Sequence, residues 1–235
     1  MTLLVDTDLI VYSVLNRKTD FLLAIDSAEA SLFRILARFS DADYDLYLTG
    51  KNNFRKKVAS YYKAHRPTEK PRYFSDLRSY LVDEWGAIVV DEIEADDAIG
   101  IRHCEHTIVV SIDKDLKTLS GWNYNFRTDE LVNISEQEAA TNFWVQMLIG
   151  DASDNVPGIK NPAKAHHKNP PNFTEATAKQ ILLDLDGTLT MRQTVEKLYE
   201  SQFGNEWQEK FNEIATLLFI QRKDALTWQE CNLLK

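Results

Sequence analysis

The sequence predicts an α/β protein, with a mostly parallel central sheet flanked by helices and a helical portion after it. Three observations predict this. Short apolar or β-branched runs alternate with longer amphipathic runs from residue 3 to about residue 126, the order that builds a parallel sheet. Four of the six prolines then crowd between Pro157 and Phe173. Three helical patterns follow, and no strand pattern. The expected division is a domain over 1–150 and a helical portion over 151–235.

Leu3-Leu4-Val5 reads as a short buried strand ending at Asp6. Residues 26–39 have helical apolar spacing (Ala30, Phe33, Leu36, Ala37), with Asp26 or Ser27 as the cap. Residues 44–48 read as a second strand. Residues 52–64 read as a basic helix, and Pro67 and Pro71 bracket a loop. Residues 74–85 suggest a helix and 87–90 a buried strand. Residues 94–103 open a helix with acids, which the helix dipole favours. Residues 107–111 are β-branched and apolar and read as a strand, and 124–126 as another. Ser135-Glu136-Gln137-Glu138 matches a capping box for a helix over 135–148. The last three helices are expected over 175–185, 192–202 and 206–221.

Composition narrows the class. With 235 residues, 44% hydrophobic and 27% charged, the chain can bury a core without disulfide staples. Its two cysteines, Cys104 and Cys231, cannot build a disulfide framework, which leads us to expect a reducing cytoplasm. No apolar run approaches the roughly 18 residues of a membrane span, and Asp6 and Asp8 interrupt the start, so neither a span nor a signal peptide is expected. The net charge of −9 argues against a generic nucleic-acid binder. The charge is segregated, however: residues 51–78 hold nine Lys or Arg against two acids, net +7, which leaves −16 for the remainder.

Carboxylates recur in four places: Asp6 with Asp8; Glu94, Asp96 and Asp97; Asp113 with Asp115; and Asp151 with Asp154. The first three groups follow expected strands, and ligands of a parallel sheet bind beyond the strands' carboxyl ends. Asp113 and Asp115 would point the same way on a continuing strand. Glu94 with Asp97, and Asp151 with Asp154, would share a helical face. Any one of these acids alone is explained by a turn or a cap. Together they repel: two unit charges about 4 Å apart cost roughly 4 kcal/mol near a protein surface. Oxygen donors without clustered His or Cys select hard cations, so Mg²⁺ or Mn²⁺ is expected.

With these motifs in order, the sequence resembles the bacteriophage and bacterial 5′-nuclease (flap endonuclease) family of the PIN-like superfamily. The resemblance rests on Leu-Leu-Val-Asp6-Thr; Phe-Arg55-Lys-Lys…Tyr-Tyr62-Lys63-Ala-His-Arg66; Glu94-Ala-Asp96-Asp97; Ser111-Ile-Asp113-Lys-Asp115; and Gly150-Asp151-Ala-Ser-Asp154-Asn-Val-Pro-Gly158. These span residues 3 to about 160, roughly two-thirds of the chain. The resemblance implies a PIN-like domain followed by a helix–three-turn–helix portion. It implies a structure-sensitive 5′-3′ exonuclease or flap endonuclease that uses two Mg²⁺ ions (Mn²⁺ substituting), with K⁺ in the helix–three-turn–helix. Asp6, Glu94, Asp96, Asp97, Asp113, Asp115, Asp151 and Asp154 match the family's metal-binding acids. Lys63 and Arg66 match its catalytic basic pair. Arg55, Lys56, Tyr62, Lys160 and Lys164 join them as expected nucleic-acid contacts, with Tyr61 or Tyr62 stacking on an unpaired base. The implied partners are DNA with 5′ flaps, nicks or ends, or an RNA–DNA hybrid. A monomer is implied, in the cytoplasm (a host's, for a phage protein), acting in replication.

Two departures stand out. Thr49 or Gly50 stands in the place of the family's acid that ends the second strand, and the Gly-rich turn after Gly158 is altered. Lys160, Lys164, Lys168 and Lys179 could compensate in that turn.

Competing readings are a non-catalytic, structure-specific nucleic-acid-binding protein, a single-strand ribonuclease of the wider PIN group, and a haloacid-dehalogenase-like phosphatase. The last would use Asp184 in Asp184-Leu-Asp186-Gly-Thr and needs a buried strand before it. His103, Cys104 and His106 raise a zinc reading, for which a helix-to-strand junction is the plainer role. His166 and His167 are expected to be solvated.

Overall fold

A computed structural model describes residues 1–16, 19–164, 168, 171–185 and 187–235. His166, His167 and Asp186 lie outside the described residues. The elements run β1 (Thr2–Asp6), α1 (Thr7–Val14), α2 (Phe21–Arg38), β2 (Asp43–Thr49), α3 (Arg55–Val58), α4 (Phe74–Trp85), β3 (Ile88–Val90) and α5 (Ala95–Arg102). Then come β4 (Thr107–Val110), β5 (Gly121–Asn125), β6 (Glu130–Ile134), α6 (Glu136–Ile149), β7 (Gly150–Asp151), β8 (Val156–Pro157), α7 (Glu175–Leu183), α8 (Met191–Phe203) and α9 (Trp207–Leu218). Two compact units interleave along the chain. A sheet unit holds residues 1–53, 67–134 and 220–223, and a helical unit holds 54–66, 135–219 and 224–235.

In the sheet unit the strand order is β3-β2-β1-β4-β5-β6. All neighbours are parallel except β5 and β6, so the expected mostly parallel sheet is present. The chain moves outward from β1 to β2 and β3, then returns to place β4 on the other side of β1. That reversal is a topological switch point, where the connections diverge and leave a crevice at the strands' carboxyl ends. Leu3, Leu4 and Val5 of β1 and all of β4 are buried, as central strands covered on both faces should be. One face packs on Ala24, Ala28, Leu32 and Ile35 of α2 and Leu77 and Leu81 of α4. The other packs on Ala95, Ala98 and Ile99 of α5.

Five local expectations change. Strand β3 forms but is not buried: as an edge strand it leaves Ile88 44% and Val89 50% exposed. Helix α2 starts earlier, capped by Asp20, whose carboxylate accepts the Leu23 amide at 2.9 Å. Its buried face is Ala24, Ala28, Leu32 and Ile35, while Phe33 is 58% exposed, so the helical period was right and its phase was not. The basic stretch 52–64 is helical only over Arg55–Val58: Ala59 is extended and Lys63 has φ of 55°. Burial of Ala59 and Tyr62 in the helical unit's core turns the chain there. Helix α1 and strand β6 are additions. The β-branched run of α1 does not advertise a helix, and the asparagines of β5 and β6 are poor strand formers.

The helical unit buries Phe143, Trp144, Met147 and Leu148 of α6 against Ala178 and Leu182 of α7, Val195 and Tyr199 of α8 and Phe211 and Ile214 of α9. The capping box at Ser135 forms as expected, with Ser135 accepting the Glu138 amide and Glu138 accepting that of Ser135.

Candidate functional site

Asp6 ends β1 at the switch point and is 7% exposed. Its Oδ2 accepts the Ser111 hydroxyl at 3.2 Å, and Ser111 Oγ accepts the Asp113 amide at 3.0 Å. The residue following β4 is thereby tied to the residue ending β1. Burial, and then the nearby charges of Asp8 and Asp113, push the Asp6 carboxyl up to about 7.

Asp8 opens α1 and is neutralised internally. It accepts the Thr49 amide at 2.8 Å and pairs with the Arg78 guanidinium, which also donates to the Thr49 carbonyl. Thr49 Oγ1 in turn accepts the Ala95 amide at 3.0 Å. No side chain fits at Gly50, where a Cβ would lie 2.4 Å from the Val90 carbonyl oxygen and 2.9 Å from Asp91 Oδ1. The position after the second strand is thus closed to an acid. Asp91, at the end of β3, accepts the Asn52 amide and side chain, which hold its carboxyl below the usual range.

Glu94 caps α5 and is 7% exposed. Asp97 is fully buried, and its two oxygens accept the amides of Glu94 at 3.1 Å and Gln221 at 3.0 Å. Its place is therefore that of a helix-capping group, which corrects its expected role as a metal-binding acid. Asp96 accepts the Asp97 amide at 3.1 Å. Asp113 and Asp115 do not continue a strand, because β4 stops at Val110. Asp113 Oδ1 instead accepts the Asp115 amide at 2.9 Å, in a turn leading into a short 3₁₀ helix, Asp115–Thr118.

Asp151 and Asp154 belong to the helical unit. Asp151 is 3% exposed and accepts the Ser153 amide and hydroxyl, both at 2.6 Å. Asp154 gathers the basic residues. It accepts the Tyr62 hydroxyl at 2.8 Å, lies 3.4 Å from Lys63 Nζ and pairs with Arg66. Lys63 and Arg66 thus meet at one carboxylate, Arg66 with its side chain about half exposed. Tyr62 is 3% exposed in the core, so it packs rather than stacks on a base. Arg55 is a second correction. It is 2% exposed and donates to the carbonyls of Leu217 and Phe219, so it closes the end of α9 instead of reaching a phosphate. Lys56, Lys160 and Lys164 are exposed.

Among the described residues, no group of three or more His, Cys, Asp or Glu converges on a point that could hold an ion. The acids are instead satisfied in smaller sets by the donors just described. The zinc reading ends there too, since His103 shares its ring nitrogens between Thr107 Oγ1 and the Ser120 carbonyl. The phosphatase reading lacks its strand: helix α7 runs to Leu183, and Asp184 is its C-cap. Asp8, Arg78 and Ser111 were not among the expected site residues. Asp8 and Ser111 have signals in the spacing Asp6-x-Asp8 and the string Ser111-Ile-Asp113, whereas Arg78 has none beyond its place in the basic stretch 51–78. Among the described residues, no helix is long and apolar enough to cross a membrane.

No protein-family model matches the chain. Its fold does match solved structures. The bacteriophage T5 5′-exonuclease with bound zinc ions aligns with a TM-score of 0.58 at 16% identity, over 93% of this chain and 86% of that one. A bacteriophage T5 protein co-crystallised with metal ions gives 0.57 at 15% identity, over 92% and 93%. The T5 flap endonuclease in a complex with DNA and metal ions gives 0.53 at 13% identity, over 92% and 98%. Across nearly its whole length, then, the chain has the fold of the bacteriophage T5 5′-nuclease.

Proposed function

We propose that this chain is a divalent-metal-dependent, structure-sensitive 5′-3′ exonuclease or flap endonuclease acting on DNA or RNA–DNA hybrids. The observation that carries this reading is the carboxylate at the switch point. Asp6 is buried, pushed up to about 7, and linked through Ser111 to the acidic turn after β4. A carboxylate kept this dry beside other acids is stabilised in its charged form by a hard cation. The donor chemistry fits Mg²⁺ or Mn²⁺, because every candidate ligand is an oxygen. Asp6 and Asp113 would hold such an ion, with water completing its shell, and Glu94, Asp96 and Asp115 are further candidates in the same unit; Asp151 and Asp154 belong to the helical unit. When bound, two such ions supply Lewis-acid stabilisation of phosphoryl oxygens and activation of water.

The chain's own residues do the rest. Ser111 orients the Asp6 carboxylate by donating to Oδ2. Arg78 neutralises Asp8 and so limits the negative charge beside Asp6. In the helical unit, Asp154 aims Lys63 and Arg66, whose fixed positive charge stabilises a phosphate as its charge redistributes. Lys56, Lys160 and Lys164 neutralise backbone phosphates without reading bases.

One observation favours a second reading, a non-catalytic structure-specific nucleic-acid-binding protein: no three acids converge among the described residues. One experiment separates the two. 5′-labelled flap, nicked and RNA–DNA hybrid duplexes are incubated with the chain and Mg²⁺, Mn²⁺ or EDTA. The nuclease reading requires cleavage near the labelled end with either metal and none in EDTA. Binding without cleavage in every metal establishes the module.

A further inference from the structure

Residues 220–223 follow α9 of the helical unit yet belong to the sheet unit. Two hydrogen bonds, one buried side chain and one close approach fasten this strap. Ile220 is 3% exposed, packed in the core cluster with Leu4, Ala95, Ile99, Val109 and Leu116. The Gln221 amide donates to Asp97 Oδ1 at 3.0 Å. The Arg222 guanidinium donates to the Thr118 carbonyl at 2.6 Å, the last residue of the 3₁₀ turn that Asp115 opens. A Cβ at Gly100 of α5 would lie 2.2 Å from the Gln221 carbonyl oxygen and 2.9 Å from Ile220 Cγ2, so the strap lies as near the helix as glycine permits. The chain just before it is fixed by Arg55, through the Leu217 and Phe219 carbonyls.

Each grip lands on an element that carries candidate metal ligands. Asp97 divides its carboxylate between the strap's amide and the amide of Glu94, the cap of α5. Arg222 closes the far end of the turn that presents Asp115. Carboxylates on separate loops repel and drift apart unless something outside the set holds those loops. We infer that the strap Ile220–Arg222 is a positioning element for the sheet-edge acids. It fixes the Glu94 and Asp115 loops through Asp97 and Thr118, and thereby sets the affinity of the sheet edge for divalent cations. This rests on the metal-dependent reading above. Partners that orient ligands from outside the first layer typically alter metal affinity by about 10–100-fold when removed.

The test uses the full chain without DNA and reads Mn²⁺ binding by the electron paramagnetic resonance signal of the free ion. Gly100→Ala pushes the strap off α5, and Arg222→Ala releases the turn; neither touches a candidate ligand. Each is expected to weaken Mn²⁺ binding by about tenfold or more and to raise the metal concentration needed for cleavage. Arg222→Lys, which can still donate to Thr118, restores both. Leu32→Ala, in the other core cluster of the same unit, lowers the melting temperature and leaves Mn²⁺ affinity at the wild-type value. If Gly100→Ala does not fold, the Arg222 pair decides. Strap variants that melt earlier but bind Mn²⁺ like wild type overturn the inference alone. A wild-type chain that binds no Mn²⁺ and cuts nothing overturns the functional reading, and the strap's role with it.

Discussion

A buried carboxyl that titrates near neutrality weakens the fold it sits in. Asp6 loses its proton near 3.8 in an unfolded chain and near 7 in the folded one, raised by burial and then by Asp8 and Asp113. Between those values the folded state binds more protons than the unfolded state, so stability falls as pH rises through that window and stays low above it. Each pH unit of the window is worth about 1.4 kcal/mol, so the whole effect is a few kcal/mol. In EDTA, the melting temperature is expected to fall from pH 5 to pH 8, and Asp6→Asn should flatten that profile and melt higher at pH 8. Adding Mg²⁺ at pH 8 should stabilise wild type and not the variant. Identical profiles for both proteins would remove Asp6 from this role. Arg55 makes the opposite case, a charge whose partners are backbone carbonyls. Truncating it to Ala strands the Leu217 and Phe219 carbonyls inside the helical unit. Hydrogen bonds to charged groups contribute about 1.5–3 kcal/mol each, so Arg55→Ala should cost about 3 kcal/mol in urea unfolding, and a loss near zero would contradict its buried placement. The acids were legible because charged residues directly after apolar runs announce strand ends. The burial of Arg55 was not, because its partners lie 162 and 164 residues away and nothing local marks them.

Elements were read best where one period ran without interruption. Strands β1 and β4, buried on both faces, are continuous apolar runs, and the Ser135 box announces α6 through a local hydrogen-bond exchange. Helix α2 was found with the wrong face because Phe33 and Ala30 fit the period as well as Leu32 and Ala28 do. Only packing against the sheet selects between them. The stretch 52–64 failed for a related reason: Lys and Arg favour helix locally, yet burying Ala59 and Tyr62 outweighs that preference. The string from Gly150 to Gly158 carries its explanation in its glycines. Gly150 adopts φ of 71°, and a Cβ at Gly158 would lie 2.2 Å from the Ile149 carbonyl oxygen. The two backbones therefore meet at the end of α6 only because positions 150 and 158 carry no side chain, and that approach sets the antiparallel β7–β8 turn containing Asp151 and Asp154. Overpacking of this kind costs about 1–3 kcal/mol, and backbone contact places the site at the upper end. Gly158→Ala should lower stability by about 3 kcal/mol in denaturant unfolding. A variant as stable as wild type would show that the approach has room the contacts deny.

At the scale of the whole molecule, charge is the property that separates the candidate functions. The chain carries −9 overall, yet residues 51–78 carry +7, so the remainder carries −16. A basic protein that binds DNA through lysines alone is weakened by Mg²⁺, because the ion competes for the same phosphates and lowers the gain from counterion release. This chain presents the reverse balance. Most of its field repels a polyanion, and the acids at the sheet edge repel it most strongly where Asp8 and Asp113 raise the proton affinity of Asp6. Divalent ions held there change the sign of that local field. At constant ionic strength, adding Mg²⁺ should therefore tighten binding of a 5′-flap duplex, read by fluorescence anisotropy in the interval before cleavage. With Asp113→Asn the same addition should tighten it less, because one ligand is gone. Weakening of wild-type binding across the whole Mg²⁺ range would mean that the exposed lysines alone hold the nucleic acid. The sheet-edge carboxylates would then be turn and cap residues, and the chain a binding module that keeps a nuclease's fold.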